Sequence, residues 1–127
     1  MDNLLSLLGR SGLSAIFILS GLQKISGYAG TQQYMEAFGV PGALLPLVIA
    51  LEVGGGLAVL AGLWTRWFAL ALAGFSLVAA IVFHGNLADP MQAISFWKNV
   101  AMAGGFLVLA GTTPGRFSVD RLLQRKY

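Results

Sequence analysis

A few polar residues stand inside or beside long apolar stretches, and their side chains are the ones equipped for chemistry. A carboxylate, two amines, an imidazole and an amide can bind a ligand by hydrogen bonds, and the titratable ones can relay protons. With no cysteine and one histidine, the chain has no thiolate nucleophile, disulfide or multi-histidine metal site of its own. We therefore predict a ligand-binding or proton-relay site without metal or intrinsic cofactor, and we assign no catalytic residue. The candidates are Lys24, Glu52, His84, Lys98 and Asn99.

The composition indicates that lipid covers most of the surface. Hydrophobic residues make up 57% of the 127 residues and charged residues 10%, with a mean hydropathy of +0.76. A soluble domain carries about 25% charged residues. The net charge is +3, and the basic residues are scattered except for a cluster near the C-terminus. This pattern suits topology or contact with anionic lipid and predicts no binding of nucleic acid.

Four apolar stretches are long enough to cross a bilayer, which takes about 20 residues in a helix. We place the spans at residues 4–25, 43–63, 67–84 and 90–111. Asp89 and Pro90 form a typical N-cap and first helical position for the fourth span. The predicted fold is all-α: a single domain over residues 1–127, folded as an integral membrane four-helix bundle.

The segment between the first two spans predicts a short interfacial helix in the first outer loop. Thr31 is the expected cap and Gly39 the expected stop, with Tyr34, Met35 and Phe38 on one side. Aromatic residues on an amphipathic helix suit the membrane interface.

The tail, residues 114–127, is predicted to be basic and cytoplasmic. A second short helix is expected to start at the Ser118 cap and to carry Leu122 and Leu123 along the surface.

The distribution of lysine and arginine predicts the orientation, because cytoplasmic loops carry an excess of both. With four spans, both termini and the turn at Arg66 share one side, and that side holds most of the basic residues. We predict a multi-pass protein of the bacterial inner membrane with both termini in the cytoplasm. Its cytoplasmic anchors would be Arg10, Arg66, Arg116 and Arg121, joined by Arg125 and Lys126.

Spacing predicts that the polar residues face the interior of the bundle. A charge at the centre of a span costs about 2.5–3.5 kcal/mol, so it normally faces a partner. The predicted inward faces are Arg10, Ser14, Phe17, Gly21 and Lys24 on the first span; Glu52, Gly55, Gly56 and Val59 on the second; Ser76, Ala80 and His84 on the third; and Lys98, Ala101, Met102 and Gly105 on the fourth.

These faces predict a polar cluster in the outer half of the bundle, formed by Gln23, Lys24, Glu52, His84, Lys98 and Asn99. Glu52 is either a structural ion-pair partner of Lys98 or Lys24, or a residue that binds a ligand or relays protons. The alternatives are that Lys24 only extends to the headgroups and that His84 only makes interfacial hydrogen bonds.

With these residues placed, the chain resembles the DoxX family of small four-helix bacterial membrane proteins. The stretches that carry the resemblance cover nearly the whole chain. They are GRSGLSAIFILSGLQKISGYAGTQQYMEAFGVPG, LEVGGGLAVLAGLWTR, FHGNL, FWKNVAMAGGFLVLAG and GRFSVDRLL. Each motif is short and apolar, and the match lies in their order and spacing.

The resemblance implies a connection with redox chemistry. Relatives include a subunit of a thiosulfate:quinone oxidoreductase and membrane partners of redox or thiol-defence enzymes, and many members have no assigned activity. The family's recurrent polar residues correspond to Arg10, Lys24, Glu52, His84, Lys98 and Asn99. Because this chain has no cysteine, thiol chemistry would take place on a partner.

Three functions follow as hypotheses. The first is a quinone-interacting or membrane-anchoring subunit of a redox system, such as a non-catalytic subunit of a quinone-linked oxidoreductase, with quinone as cofactor and a soluble redox partner. The second is a carrier or binding protein for a small, partly apolar solute, for which alternating access would require a homo-oligomer. The third is a scaffold that holds soluble partners through its basic tail.

Overall fold

Four long helices cross the computed structural model, which describes residues 2–111 and 118–122 and, of their side chains, those of residues 4–111, 118–120 and 122. The described residues contain no strand. The candidate spans, named first to fourth below, are Leu4–Ser26, Gly42–Ala61, Thr65–Phe83 and Pro90–Ala110. The all-α bundle of four potential membrane spans is confirmed, with each boundary within two residues of its predicted position.

The helix ends confirm one of the boundaries predicted from local sequence and contradict another. At the fourth span the side chain of Asp89 accepts a hydrogen bond from the backbone N–H of Met91 at 3.0 Å, and Pro90 follows at the first helical position. The predicted turn at Arg66 is wrong, because the third span already begins at Thr65. The chain reverses earlier, through Gly62 and Trp64, whose φ angles are +74° and +44°.

The short helix after the first span covers Tyr28–Ala37. Its predicted start at Thr31 is wrong, since the Thr31 hydroxyl donates to the carbonyl of Gly27 at 2.9 Å and lies within the helix. The predicted stop is confirmed, as Gly39 has a φ of +80° that favours glycine. Met35 is buried by this helix.

The second span changes its helical geometry along its length. It begins as a 3₁₀ turn at Gly42–Leu44 and continues as an α-helix at Leu45–Ile49. A π-helical segment, Ala50–Gly55, precedes a final α-helical part, Gly56–Ala61. Glu52 lies in the π segment. π-Helical turns are rare in proteins, and those that occur are often found at functional sites. No sequence pattern indicated it.

Glycines bring the first and second spans close together. A Cβ on Gly56 would lie 2.8 Å from a side-chain carbon of Ile18, and one on Gly21 would clash with the side chain of Val53. Beyond this contact, an apolar core joins all four spans. Each span contributes to it, through Phe17, Val59, Leu72 and Phe106 respectively.

The two ends of the bundle have different features. We call the end with the Gly62–Thr65 turn and the helix Val119–Leu122 the tail end. The opposite end carries the short helix, His84 and Asp89, and we call it the pocket end.

Candidate functional site

A cavity of about 480 Å³ lies between the spans at the pocket end. The five predicted site residues all line this cavity, although they lie in or directly after four different spans. The predicted cluster included Gln23, which is exposed and does not line the cavity. The residues that line it together are Lys24, Glu52, His84, Lys98 and Asn99.

A buried ion pair forms one wall of the cavity. Lys24 Nζ lies 2.8 Å from Glu52 Oε1 and donates a hydrogen bond to Ser20 Oγ at 2.7 Å. The Glu52 side chain is 3% exposed, whereas that of Lys24 is 25% exposed. Apart from this ion pair, Oε1 accepts no hydrogen bond from the part of the chain that is described. Of the two partners that the sequence left open, the structure selects Lys24.

Two backbone features position the carboxylate. The π segment places Glu52 on the inner face of the second span, and Gly21 faces it from the first span. A Cβ on Gly21 would lie 3.3 Å from the Cβ of Glu52 and 3.3 Å from the backbone nitrogen of Val53. The lack of a side chain at Gly21 therefore lets the first span approach closely enough for Lys24 to reach Glu52.

His84 lies directly after the third span, at its C-terminal cap. Its backbone N–H donates to the carbonyl of Ala80 at 3.1 Å, and its side chain is half-buried. Burial lowers the pKa of His84 below 6.5, and the positive charge of Lys98 lowers it further. A neutral imidazole at this position can accept a hydrogen bond as well as donate one.

The fourth span presents a different face from the predicted one. Lys98 and Ala101 are exposed, and Met102 and Gly105 are partly buried. The buried residues are Asn99, Ala103, Phe106, Leu109 and Ala110. The span is thus rotated about one residue from the predicted orientation. This keeps an ammonium at the edge of the bundle and places a neutral amide inside, which lowers the cost of burial.

Asn99 is the amide that this rotation brings inward, and it is 8% exposed. Its side chain makes no hydrogen bond to any other described residue. Because Asn99 lines the cavity, a ligand there would find both a donor and an acceptor in its amide.

Three aromatic rings cluster at the pocket end of the bundle, and two of them, those of Tyr34 and Phe83, line the cavity. The rings of Tyr34 and Phe83 stack at 5.4 Å, and Phe38 packs against both, at 4.9 Å from Tyr34 and 5.3 Å from Phe83. Towards the core, Phe17 packs edge-on against Phe75 at 6.2 Å. The size and the mainly apolar lining, with few polar groups, are typical of a site for a small amphiphilic molecule.

Two of the predicted cytoplasmic anchors, Arg10 and Arg66, differ in burial. Arg10 is 1% exposed and donates to the carbonyls of Val59 and Leu60, at 3.2 and 3.0 Å. It lies inside the bundle at the C-terminus of the second span, where its guanidinium binds the last backbone carbonyls. Arg66 is exposed, and its Nε donates to the carbonyl of Ala110 at 3.1 Å. Arg10 therefore lies on the inner face of the first span, as its spacing predicted, and not at the surface, as the anchor prediction required.

The remaining predicted tail residues lie outside what the structure describes. These are Arg116, Leu123, Arg125 and Lys126, together with the side chain of Arg121. The helix predicted to start at Ser118 is present as Val119–Leu122, and Leu122 is 80% exposed as expected.

Sequence reasoning missed Asp120, which is fully buried at the tail end. Its carboxylate accepts hydrogen bonds from the backbone N–H groups of Trp64 and Thr65, at 2.6 and 2.8 Å, and from the Thr65 hydroxyl at 2.8 Å. Its own N–H donates to the carbonyl of Gly62 at 2.9 Å. No spacing rule connects residues so far apart in the chain, so no sequence signal was available.

Comparison with known proteins places the chain in a family. The sequence model of the DoxX family matches residues 5–85. The chain is 55% identical over 121 residues to the inner membrane protein YqjF of Escherichia coli, covering 95% of this chain and 93% of YqjF. It is 38% identical over 125 residues to the inner membrane protein YphA of the same organism, covering 92% and 89%.

A third match covers only part of the chain. CatD of Bacillus subtilis, which is named as an oxidoreductase, is 40% identical over 63 residues, or 46% of this chain and 47% of CatD. No solved structure matches. The family model matches most of the chain, two relatives match it along nearly its whole length, and four helices are candidate membrane spans. The chain therefore belongs to the DoxX family and is a multi-pass integral protein of the inner membrane.

Proposed function

We propose that the chain is a quinone-interacting membrane subunit of a redox system, with the cavity at the pocket end as the quinone site. The observation that carries this proposal is the juxtaposition of Glu52 and Asn99 in a mainly apolar cavity of about 480 Å³. The name of CatD as an oxidoreductase supports the redox assignment, although that match covers less than half of the chain.

The polar groups fit the two states of a quinone. A quinone headgroup offers two carbonyl acceptors, and its reduced quinol form offers two hydroxyl donors. The Asn99 amide and the Lys98 ammonium can donate to a carbonyl, while Glu52 Oε1 can accept from a hydroxyl. Bound quinone would supply the redox chemistry by taking up two electrons and two protons. The electrons would come from a soluble redox partner, and the residues of the cavity hold the headgroup and the protons.

The apolar part of the lining fits the rest of such a molecule. Ile16 of the first span and Val78 of the third span line the cavity and are also exposed on the outside of the bundle. Lipid contacts these surfaces in the membrane, so a lipid-soluble ligand can reach the cavity without crossing water.

The test is mass spectrometry of the organic extract from gently purified protein. We expect quinone in the extract of the native chain and at least severalfold less in the Glu52→Gln and Asn99→Leu variants. Glu36→Gln is the matched control, because it makes the same change on an exposed residue that does not line the cavity. Equal quinone in all extracts, or none in the native one, would contradict the proposal.

A carrier or binding protein for a small, partly apolar solute is the second candidate. The observation that favours it is an open depression of about 390 Å³ beside the cavity, lined in part by the same residues. Accumulation of solute in sealed vesicles, lost in Glu52→Gln, would support this function. A redox subunit would not accumulate solute across the bilayer.

A further inference from the structure

The Lys24–Glu52 ion pair lies between the open depression of about 390 Å³ and the cavity of about 480 Å³. The depression at the pocket end and the inner cavity share a wall, which consists of Ser20, Lys24, Thr31 and Tyr34. Glu52 lines only the inner cavity. Lys24 therefore contacts the depression on one side and the buried carboxylate on the other.

The exposure of the two side chains changes across this wall. Lys24 is 25% exposed and Glu52 is 3% exposed, and their charged atoms are 2.8 Å apart. Ser20 Oγ accepts from the same Nζ at 2.7 Å. A donor that borders the open depression is thus in direct contact with the buried carboxylate.

The other end of the cavity offers no such connection among the described residues. Phe17, Leu72 and Phe106 are buried below it and form part of the apolar core. The buried hydroxyls in this region, those of Ser14 and Ser76, donate to carbonyls of their own helices, at 2.6 and 2.8 Å. Neither hydroxyl continues a chain of hydrogen bonds towards the tail end.

We propose that Ser20 and Lys24 form a one-sided route by which the Glu52 carboxylate exchanges protons with water at the pocket end. Lys24 Nζ gives a proton to Glu52 Oε1, so that an O–H bond forms as an N–H bond breaks. The neutral amine then takes a proton from a hydronium ion in the depression, and Ser20 holds the amine in place. The net result is one proton moved from water to Glu52.

Three other titratable groups line the cavity together with Lys24 and Glu52. They are Tyr34 from the short helix, His84 after the third span and Lys98 from the fourth span. The inference rests on the proposed function only in that a quinone site consumes protons. It concerns the access of protons to Glu52, which can be measured without quinone.

The experiment uses a hydrophobic carbodiimide, which reacts with protonated carboxyl groups, on the full chain in sealed vesicles. Leu122→Cys, placed at the exposed tail end, reports the orientation through an impermeant thiol reagent, because the native chain has no cysteine. We expect labelling of Glu52, located by peptide mass spectrometry, to increase severalfold when the pH is lowered on the pocket side. Lowering the pH on the tail side should leave it unchanged, and Glu52→Gln should lose the adduct. A response to the tail side, or an equal response to both, would overturn the proposal.

A second measurement tests the wall itself. Ser20→Cys should react with an impermeant thiol reagent added on the pocket side only. Ser14→Cys, the same change on a fully buried residue of the same helix, should react from neither side. Failure of Ser20→Cys to react from the pocket side would overturn the route. Absence of quinone from the native extract, with one-sided labelling of Glu52 intact, would reject the proposed function and retain the route.

Discussion

At the residue scale, the two partners of the ion pair differ in burial, so losing one partner affects them unequally. Glu52 is buried and Lys24 is partly exposed, so the carboxylate depends on the lysine more than the lysine depends on the carboxylate. Removing one partner of a buried pair costs about 3–5 kcal/mol, because the other charge is left without compensation. Lys98, at the edge of the cavity, makes no ion pair with another described residue.

Lys24→Met should therefore destabilise the bundle by up to about 3 kcal/mol, at the lower end of that range because Lys24 is partly exposed. The double variant Lys24→Met, Glu52→Gln should recover much of the loss. Lys98→Met is the control and should stay within about 0.5 kcal/mol of the native chain. Reversible unfolding in detergent micelles measures all three. Additive losses in the double variant would show that Lys24 and Glu52 do not couple.

His84 should give a pH dependence of known sign. Its pKa in the folded chain is below 6.5 because of burial and Lys98, so the unfolded chain binds the proton more readily. The contribution of His84 to the free energy of unfolding is then fully present above about pH 6.5 and declines as the pH falls below that value.

Nuclear magnetic resonance of the imidazole nitrogens can follow this titration, because the chain has a single histidine. We expect a midpoint below 6.5 in the native chain and a partial return towards 6.5 in Lys98→Met. A native midpoint at or above 6.5 would contradict the burial of His84 and its proximity to Lys98.

At the element scale, the contact between the first and second spans determines whether the site forms. Gly21 lies against Val53 and Glu52, while Gly12, on the same helix, has no neighbour within 4 Å of where a Cβ would lie. The two glycines therefore separate the effect of helix propensity from the effect of packing.

Gly21→Ala should push the two spans apart and cost about 1–3 kcal/mol, the usual cost of overpacking. Gly12→Ala should be neutral or stabilise by up to about 1 kcal/mol, since alanine favours helix and meets no obstacle. Thermal unfolding in micelles gives the comparison. If both variants behave alike, the close approach at Gly21 is not needed for the fold.

At the scale of the whole molecule, the tail end is closed by residues distant in sequence. Trp64 has a φ of +44°, a backbone conformation that costs a non-glycine residue roughly 1–2 kcal/mol. Asp120 accepts the N–H groups of Trp64 and Thr65 and so holds this turn. The tail helix is therefore an integral part of the bundle.

Asp120→Ala should cost about 3–5 kcal/mol, because three donors lose a buried, charged acceptor. Asp89→Ala removes an exposed N-cap acceptor and should cost about 1 kcal/mol. Unfolding curves of the two variants measure how much free energy of unfolding each one loses. Similar losses would mean that Asp120 does not hold the turn.

The scaffold hypothesis needs a truncation that spares Asp120. Removing residues 123–127 takes away Arg125 and Lys126 and leaves every described contact of the tail helix in place. We expect the truncated chain to keep the hydrogen bonds by which Asp120 holds the turn. Soluble partners that copurify with the full chain and not with the truncated one would support a scaffold function. Unchanged recovery would count against it.

The sequence by itself was sufficient for the features that depend on local composition and spacing. Apolar length determined the four spans, and the Asp89-Pro90 pair determined the start of the fourth. Steps of three and four residues placed Ser14, Phe17 and Gly21 on the inner face of the first span, where they are buried. The free-energy cost of a charge inside a membrane span predicted that Lys24 and Glu52 need partners. These inferences succeed because helix geometry and the cost of charge in lipid act on each stretch separately.

Only the tertiary structure decided which groups meet. The pairing of Glu52 with Lys24 depends on the π segment and on Gly21, and the inward position of Asn99 depends on a rotation of the fourth span by about one residue. The burial of Arg10 and Asp120 depends on the return of the tail to the turn after the second span. Each of these outcomes is set by packing between helices, where small differences in rotation and approach outweigh the preferences of any single segment.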